Sequence, residues 1–322
     1  MKKKSKVVLS MGAALAAVAA TGVATGFAWF TTTRTATVTY KNATVTSDRS
    51  SLSLTAIGTD DVATAPGQDA NGVLALSSKT SVTDNSGQIY DVSSGDGKSF
   101  VELDRSNTPA GWEKKNDTSS YVYKAVSETD LPKAIVVFGF RISVSGSEKL
   151  NVYFTDDTSI SVTKDKITAN TGDTIGDATS PDTTTAQHIL ASTRCAILTK
   201  TIASTAVGSD QTKYSEATTK MIWDQIDSDP HYATAGTGAE ALKDLKDVTP
   251  VAGAFKTTAQ NAEPTAKTDA NSYLCTVDKD NPVDVFVVTW IEGTNTYSNI
   301  PSSTANGSVV SYSFGLASYA AA

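Results

Sequence analysis

The residues that could do chemistry are few. Two histidines, His188 and His231, stand far apart in the 322-residue chain. Neither has a second histidine nearby, and there is no His-Glu-x-x-His helix, so a zinc hydrolase would lack its ligands. Serine is abundant but never sits in a Gly-x-Ser-x-Gly elbow. No P-loop and no strand-following Gly-x-Gly-x-x-Gly occurs. The run Ser93-Ser94-Gly95-Asp96-Gly97 reads as a turn rather than a phosphate cradle. Three acidic clusters are candidates for structural calcium: Asp84-Asn85-Ser86-Gly87, Asp156-Asp157 and Asp278-Lys279-Asp280-Asn281. Calcium takes about six to eight oxygens, and none of the clusters has EF-hand spacing. Exposed turns use Asp and Asn for their own backbone geometry, so no cofactor is expected. Paired carboxylates for glycoside hydrolysis are defined by a separation in space that sequence does not give. Trp112, in Pro109-Ala110-Gly111-Trp112-Glu113, is the candidate ligand platform, against the plainer role of a loop aromatic covering an edge. Trp290 sits in an apolar run and reads as core.

Cys195 and Cys275 are the only cysteines. In an exported protein they are candidates for one disulfide, and two buried free thiols are the alternative. Closing a loop of that length would stabilise the fold by about 4 kcal/mol in the chain-entropy picture. Sequence does not place the two Cα atoms within bridging range.

The N-terminus carries the clearest instruction. Lys2, Lys3, Lys4 and Lys6 precede an uncharged stretch over residues 7–23, and Gly26-Phe27-Ala28 then offers small residues at a cleavage site. This is the three-part layout of a secretory leader over residues 1–28, with signal peptidase as its partner. An uncleaved anchor is the alternative, but a span needs about 20 strongly apolar residues and this stretch is diluted by Ala, Gly, Ser and Thr. Without the leader's four lysines the chain keeps 23 basic against 34 acidic residues, a formal charge of −11. Such a surface repels phosphate backbones and anionic lipids, so the mature form is expected to bind neither nucleic acid nor membrane. Residues 312–322 read as lacking a sorting motif or tail anchor, so retention on the cell would be by non-covalent assembly.

What remains must build the elements. Thr, Ser and Val are prominent, which favours strands over helices. Ala36, Val38 and Tyr40 alternate with threonines, and Leu52 and Leu54 with serines. Residues 135–144, 150–154, 160–162, 285–291 and 309–314 read as further strands, with 285–291 a central one. Strands of this length between Gly, Asn, Asp and Ser clusters predict an all-β sandwich or barrel in one domain, residues 47–322. Insertions are expected near 59–71, 170–185 and 201–271. Residues 239–248 predict a short helix, residues 170–185 a loop, and residues 214–226 are ambiguous between helix and strand.

Three segments carry a resemblance. The junction Gly26-Phe27-Ala28-Trp29-Phe30-Thr31-Thr32-Thr33-Arg34-Thr35-Ala36-Thr37-Val38 resembles the leader and first strand of the TasA/camelysin-like exported proteins of Gram-positive bacteria. Val287-Val288-Thr289-Trp290-Ile291-Glu292-Gly293 is similar to a strand-to-turn segment of such proteins, and Arg194-Cys195-Ala196-Ile197-Leu198 to an Arg-containing core strand. The resemblance implies a jelly-roll-like antiparallel β-sandwich with inserted loops and one or two short helices. It also implies a secreted, non-enzymatic subunit that polymerises with itself, head to tail, into a surface or biofilm-matrix fibre. Residues 29–46 would be the donor strand, with Trp29, Phe30, Ala36, Val38 and Tyr40 as its contacts. The physics supports such a scheme independently, because an unpaired sheet edge is a template for an added strand. The same residues pairing within their own subunit is the alternative. A monomeric secreted adhesin or carbohydrate-binding module, with Trp112 on its binding face, is the competing function, and an extracellular hydrolase a third.

Overall fold

The computed structural model describes residues 35–40, 51–57, 62–63, 73–78, 92–104, 121–147, 149–154, 158–164, 167–170, 181–203, 213–224, 231–244, 251–252, 273–298 and 308–321. Its strands run in chain order β1 (Thr35–Tyr40), β2 (Ser51–Ala56), β3 (Val62–Ala63), β4 (Val73–Ser78), β5 (Val101–Leu103), β6 (Val122–Ala125), β7 (Ile135–Ser145), β8 (Leu150–Phe154), β9 (Ser159–Lys164) and β10 (Ile167–Asn170). They continue as β11 (Thr193–Thr201), β12 (Thr218–Asp224), β13 (His231–Ala233), β14 (Gly236–Thr237), β15 (Leu242–Asp244), β16 (Val251–Ala252), β17 (Tyr273–Val277), β18 (Val283–Ile291) and β19 (Ser308–Ala320). One helix of twelve residues, α1 (Pro181–Ser192), stands among them.

Two sheets face each other, so the fold is the expected all-β sandwich. The first has the order β10-β9-β19-β1-β4-β3, with β8 beside the far half of β19 and β17 beyond β8. The second has the order β16-β12-β11-β18-β7-β2. Pairing is antiparallel except at β1/β19 and β12/β16, which are parallel. Apart from those two pairs the sheets are antiparallel, as expected. Alternation sets the core: Phe138, Phe140 and Ile142 from β7 meet Val152, Phe154 and Phe314 from the first sheet. Burial of such side chains contributes about 1.5–3 kcal/mol each.

All nine residues of β18 are buried because its sheet is covered on both faces. Val283, Val285 and Val287 face the first sheet, while Phe286, Val288 and Trp290 face a third layer that includes Val92 and Phe100. The Phe100 and Trp290 rings meet edge to face at 5.4 Å, a favoured aromatic geometry. The run at 93–97 is what lets this layer sit close. Gly97 has φ +69°, and a Cβ there would lie 2.3 Å from Ala196 Cβ on β11; one at Gly95 would lie 2.5 Å from the Tyr232 ring. Ser94 Oγ accepts the Gly97 amide, and Asp96 accepts the Lys98 and Ser99 amides. The run is therefore a turn, as expected.

Three elements differ from expectation. The interval 170–185 holds the start of α1, whose Ala186, Ile189 and Leu190 enter the core at i, i+3, i+4 spacing. Residues 238–241 make one 3₁₀ turn and then β15, which pairs with β13, instead of a helix over 239–248. Pairing of Leu242 with Ala233 outweighs the helix propensity of so short a segment. The ambiguous stretch 214–226 contains a 3₁₀ turn and β12, a full member of the second sheet, so 201–271 is not insertion alone.

Candidate functional site

The candidate donor strand is β1, and it lies in the middle of the first sheet of its own chain. It runs parallel to β19, with Ala36, Val38 and Tyr40 in register with Tyr312, Phe314 and Leu316. On its other side it runs antiparallel to β4, with Ala36 and Val38 opposite Leu76 and Leu74. The β19 partners are buried in the sandwich core. The period-two alternation read from sequence thus matches the core-facing period of the neighbouring strand. Neither neighbour is local in sequence: β19 lies near the other end of the chain, and β2 and β3 intervene before β4. Trp29 and Phe30 lie outside the described residues, as does Trp112. Sequence reasoning missed β4, although Leu74 and Leu76 alternate there as they do in β2, and it ended the last strand too early.

The two strand motifs meet at a buried charge cluster between the second sheet and its covering layer. In-register pairing puts Arg194 of β11 between Asp224 of β12 and Trp290 of β18. Arg194 Nε donates to Asp224 Oδ2 at 2.9 Å, and Nη1 donates to the His231 carbonyl at 2.7 Å. Nη1 also lies 2.6 Å from Glu292 Oε2. That oxygen accepts Trp290 Nε1–H, while Glu292 Oε1 accepts the amide and hydroxyl of Thr294. All three charged side chains are 0–1 % exposed. Burial opposes the Arg194 charge, but the Glu292 and Asp224 carboxylates outweigh it, so the guanidinium stays charged with its pKa above the ordinary value. A sealed, hydrogen-bonded cluster of this kind fixes β13 and the Glu292 turn to the sheet; it offers no surface to a substrate. Asp224 was the member sequence reasoning did not single out. Its signal was a charge closing the apolar run Met221-Ile222-Trp223, which requires a partner when buried.

A second, partly buried pair, Arg141 and Asp284, bridges β7 and β18, with Nε–Oδ1 at 2.6 Å and Nη2–Oδ2 at 3.0 Å. The hydrogen bond to Asp284 raises the Arg141 pKa, against the opposing effect of burial.

Of the two alternatives for the cysteines, the structure has the free thiols. Cys195 on β11 and Cys275 on β17 are free buried thiols, one on each sheet, so no disulfide joins them. Burial pushes both thiols up to about 12, which leaves them protonated and inert. The histidines do no joint chemistry. His188 packs on the Tyr297 ring at 4.7 Å with its pKa lowered by burial, while His231 is exposed and contributes its carbonyl to Arg194. Asp278 closes its turn by accepting from Asn281 Nδ2 and the Asp280 amide, and the Asn281 bond chiefly lowers its pKa. The other two acidic clusters lie outside the described residues. Among the described residues no group of three or more His, Cys, Asp or Glu could hold a metal ion, and no helix is long and apolar enough to cross a membrane.

The fold and site together define an all-β sandwich whose first described strand lies mid-sheet between partners distant in sequence. No family model matches the chain, and neither a curated protein nor a solved structure does.

Proposed function

We propose that the chain is a secreted structural subunit that polymerises non-covalently, head to tail, into an extracellular fibre by passing β1 to a neighbouring copy. One observation carries this: β1 is paired on both sides, yet no local hairpin places it there. A parallel neighbour cannot arrive by a hairpin in any case. The same strand of a second copy would meet the same two edges in the same register. Exchange would therefore keep every backbone ladder while changing only which chain supplies it, which is the low-cost logic of swapping. Each subunit would then donate one strand and accept one, a contact that does not close on itself.

The leader reading and the resemblance to the TasA/camelysin-like proteins, with their jelly-roll scheme, support the same assignment. Cleavage after Ala28 would free the arm that begins at Trp29. In this reading the chain carries no catalysis and needs no cofactor.

Electron microscopy of the mature protein against a variant lacking residues 29–40 tests the proposal. Filaments from the first and none from the second are expected. Unchanged filaments in the variant would overturn it.

A further inference from the structure

We infer that the acceptor for β1 is a two-edged slot closed by a flap. The paired strands β3 and β4 dock onto the first sheet only when a β1 strand, the chain's own or a second copy's, lies in the slot. The inference rests on the strand-exchange reading and adds what holds the exchanged strand.

The strand order dictates it. Among the described residues, β4 pairs within its sheet only with β1 and β3, and β3 only with β4. The opposite side of β19 is already taken by β8 and β9. Removing β1 therefore exposes residues 311–316 of β19 on one side and strands the β3–β4 pair on the other. Two strand spacings, about 9.6 Å, would separate β4 from β19, too far for a backbone hydrogen bond. Among the described residues, what would chiefly hold the pair is its packing across the sandwich on β7 and β2. A two-stranded ribbon is marginal in water by itself, so its order depends on the strand that bridges it to β19.

Docking then has two steps. An incoming β1, the uncharged segment TATVTY, first pairs with β19 in parallel at Thr35↔Ser311 through Tyr40↔Leu316. The β3–β4 pair next closes on its far edge, with Thr37 opposite Ala75. The partner is thus an extended strand with apolar residues at alternate positions. A strand held from both sides leaves more slowly than one added to a single edge. Losing about two net hydrogen bonds, near 1.4 kcal/mol together, corresponds to about tenfold in dissociation.

Native-state hydrogen exchange on the intact mature chain tests this without any substitution. The amides of β1, β3 and β4 should open together with one free energy, below that of β7, β11 and β18. Protection of β4 that persists while β1 exchanges would overturn the flap. A second arm uses the full chain carrying Val38→Pro, with a synthetic peptide of residues 31–42 as the probe. Without peptide, amides 73–78 should lose protection while β18 keeps it; peptide should restore 73–78 and protect 311–316 together. Peptide that protects 311–316 with amides 73–78 already protected beforehand refutes the flap but leaves strand exchange standing. Peptide that protects neither segment refutes strand exchange itself. If Val38→Pro does not fold, the wild-type exchange pattern decides alone. Ala75→Pro, which breaks the β4 edge, should release bound peptide about tenfold faster, and an unchanged rate would contradict the clamp.

Discussion

Replacing Arg194 with methionine strands two carboxylates in a sealed site, and the cost follows from the geometry. Asp224 and Glu292 are 1 % and 0 % exposed and lie 2.9 and 2.6 Å from guanidinium nitrogens. Removing one partner of a buried ion pair costs about 3–5 kcal/mol, because the remaining charge has neither water nor a counter-ion. The loss of the Nη1 bond to the His231 carbonyl adds to this. Whole domains are stable by about 5–15 kcal/mol, so the variant would sit near the edge of folding. For a chain of this size the midpoint of thermal unfolding should fall by about 6–20 °C. Arg194→Lys keeps the charge, but its three donors radiate from one nitrogen and cannot span the acceptors that the planar guanidinium reaches, so it should lose about 1–3 kcal/mol. Urea denaturation at pH 7, followed by circular dichroism and tryptophan emission, measures both. Hydrogen exchange should show the loss first in β13 and in the turn after Glu292. A methionine variant within about 1 kcal/mol of wild type would refute the idea that this cluster pins the covering layer to the sheet.

The two thiols should resist alkylation in the folded protein at pH 8 and both react once urea unfolds it; mass spectrometry counts the adducts. Their folded values of about 12 lie above the ordinary thiol value of 9.0. The neutral form is therefore favoured by folding, and that contribution is intact below pH 9 and lost as pH rises from 9 toward 12, which denaturation midpoints across that range would register. Gly97→Ala should destabilise more than Gly95→Ala: its added Cβ meets Ala196 Cβ at positive φ, whereas Tyr232 is a half-buried ring that can turn aside. A cost of about 1–3 kcal/mol is expected at Gly97, read from urea midpoints. Arg141→Met should cost less than Arg194→Met, because Arg141 is 13 % exposed and leaves one stranded carboxylate, Asp284, rather than two.

Much of the sandwich was legible because its strands obey a period of two over a buried face. Leu52 and Leu54, or Ile160 and Val162, declare their sheet directly. The doubly covered second sheet was harder, since Ile135, Val136, Val137 and Phe138 are apolar on both faces for reasons that lie in another layer. α1 escaped notice because Thr183, Thr184 and Thr185 are poor helix formers and its apolar stripe is only three residues wide. Residues 239–248 misled in the opposite sense, as good helix formers drawn into a strand pair by a partner that sequence does not reveal. For the site, alternation marked Ala36, Val38 and Tyr40, but no pattern in the sequence says that their neighbours are β19 and β4. The Arg194 cluster was half visible: Arg194 and Glu292 stood out in apolar runs, and only three-dimensional register adds Asp224.

The exchange of β1 between copies is tested most directly by a cross-link across its register with β19. Thr37 and Ser313 are partners, and Thr37→Cys with Ser313→Cys places a pair of thiols there while Cys195 and Cys275 stay buried. Mature protein oxidised after assembly should run on a non-reducing denaturing gel as a ladder of covalent multimers that collapses to monomer on reduction. Filaments whose cross-linked product remains a single monomer band would show that each β1 stays in its own subunit and would contradict the account.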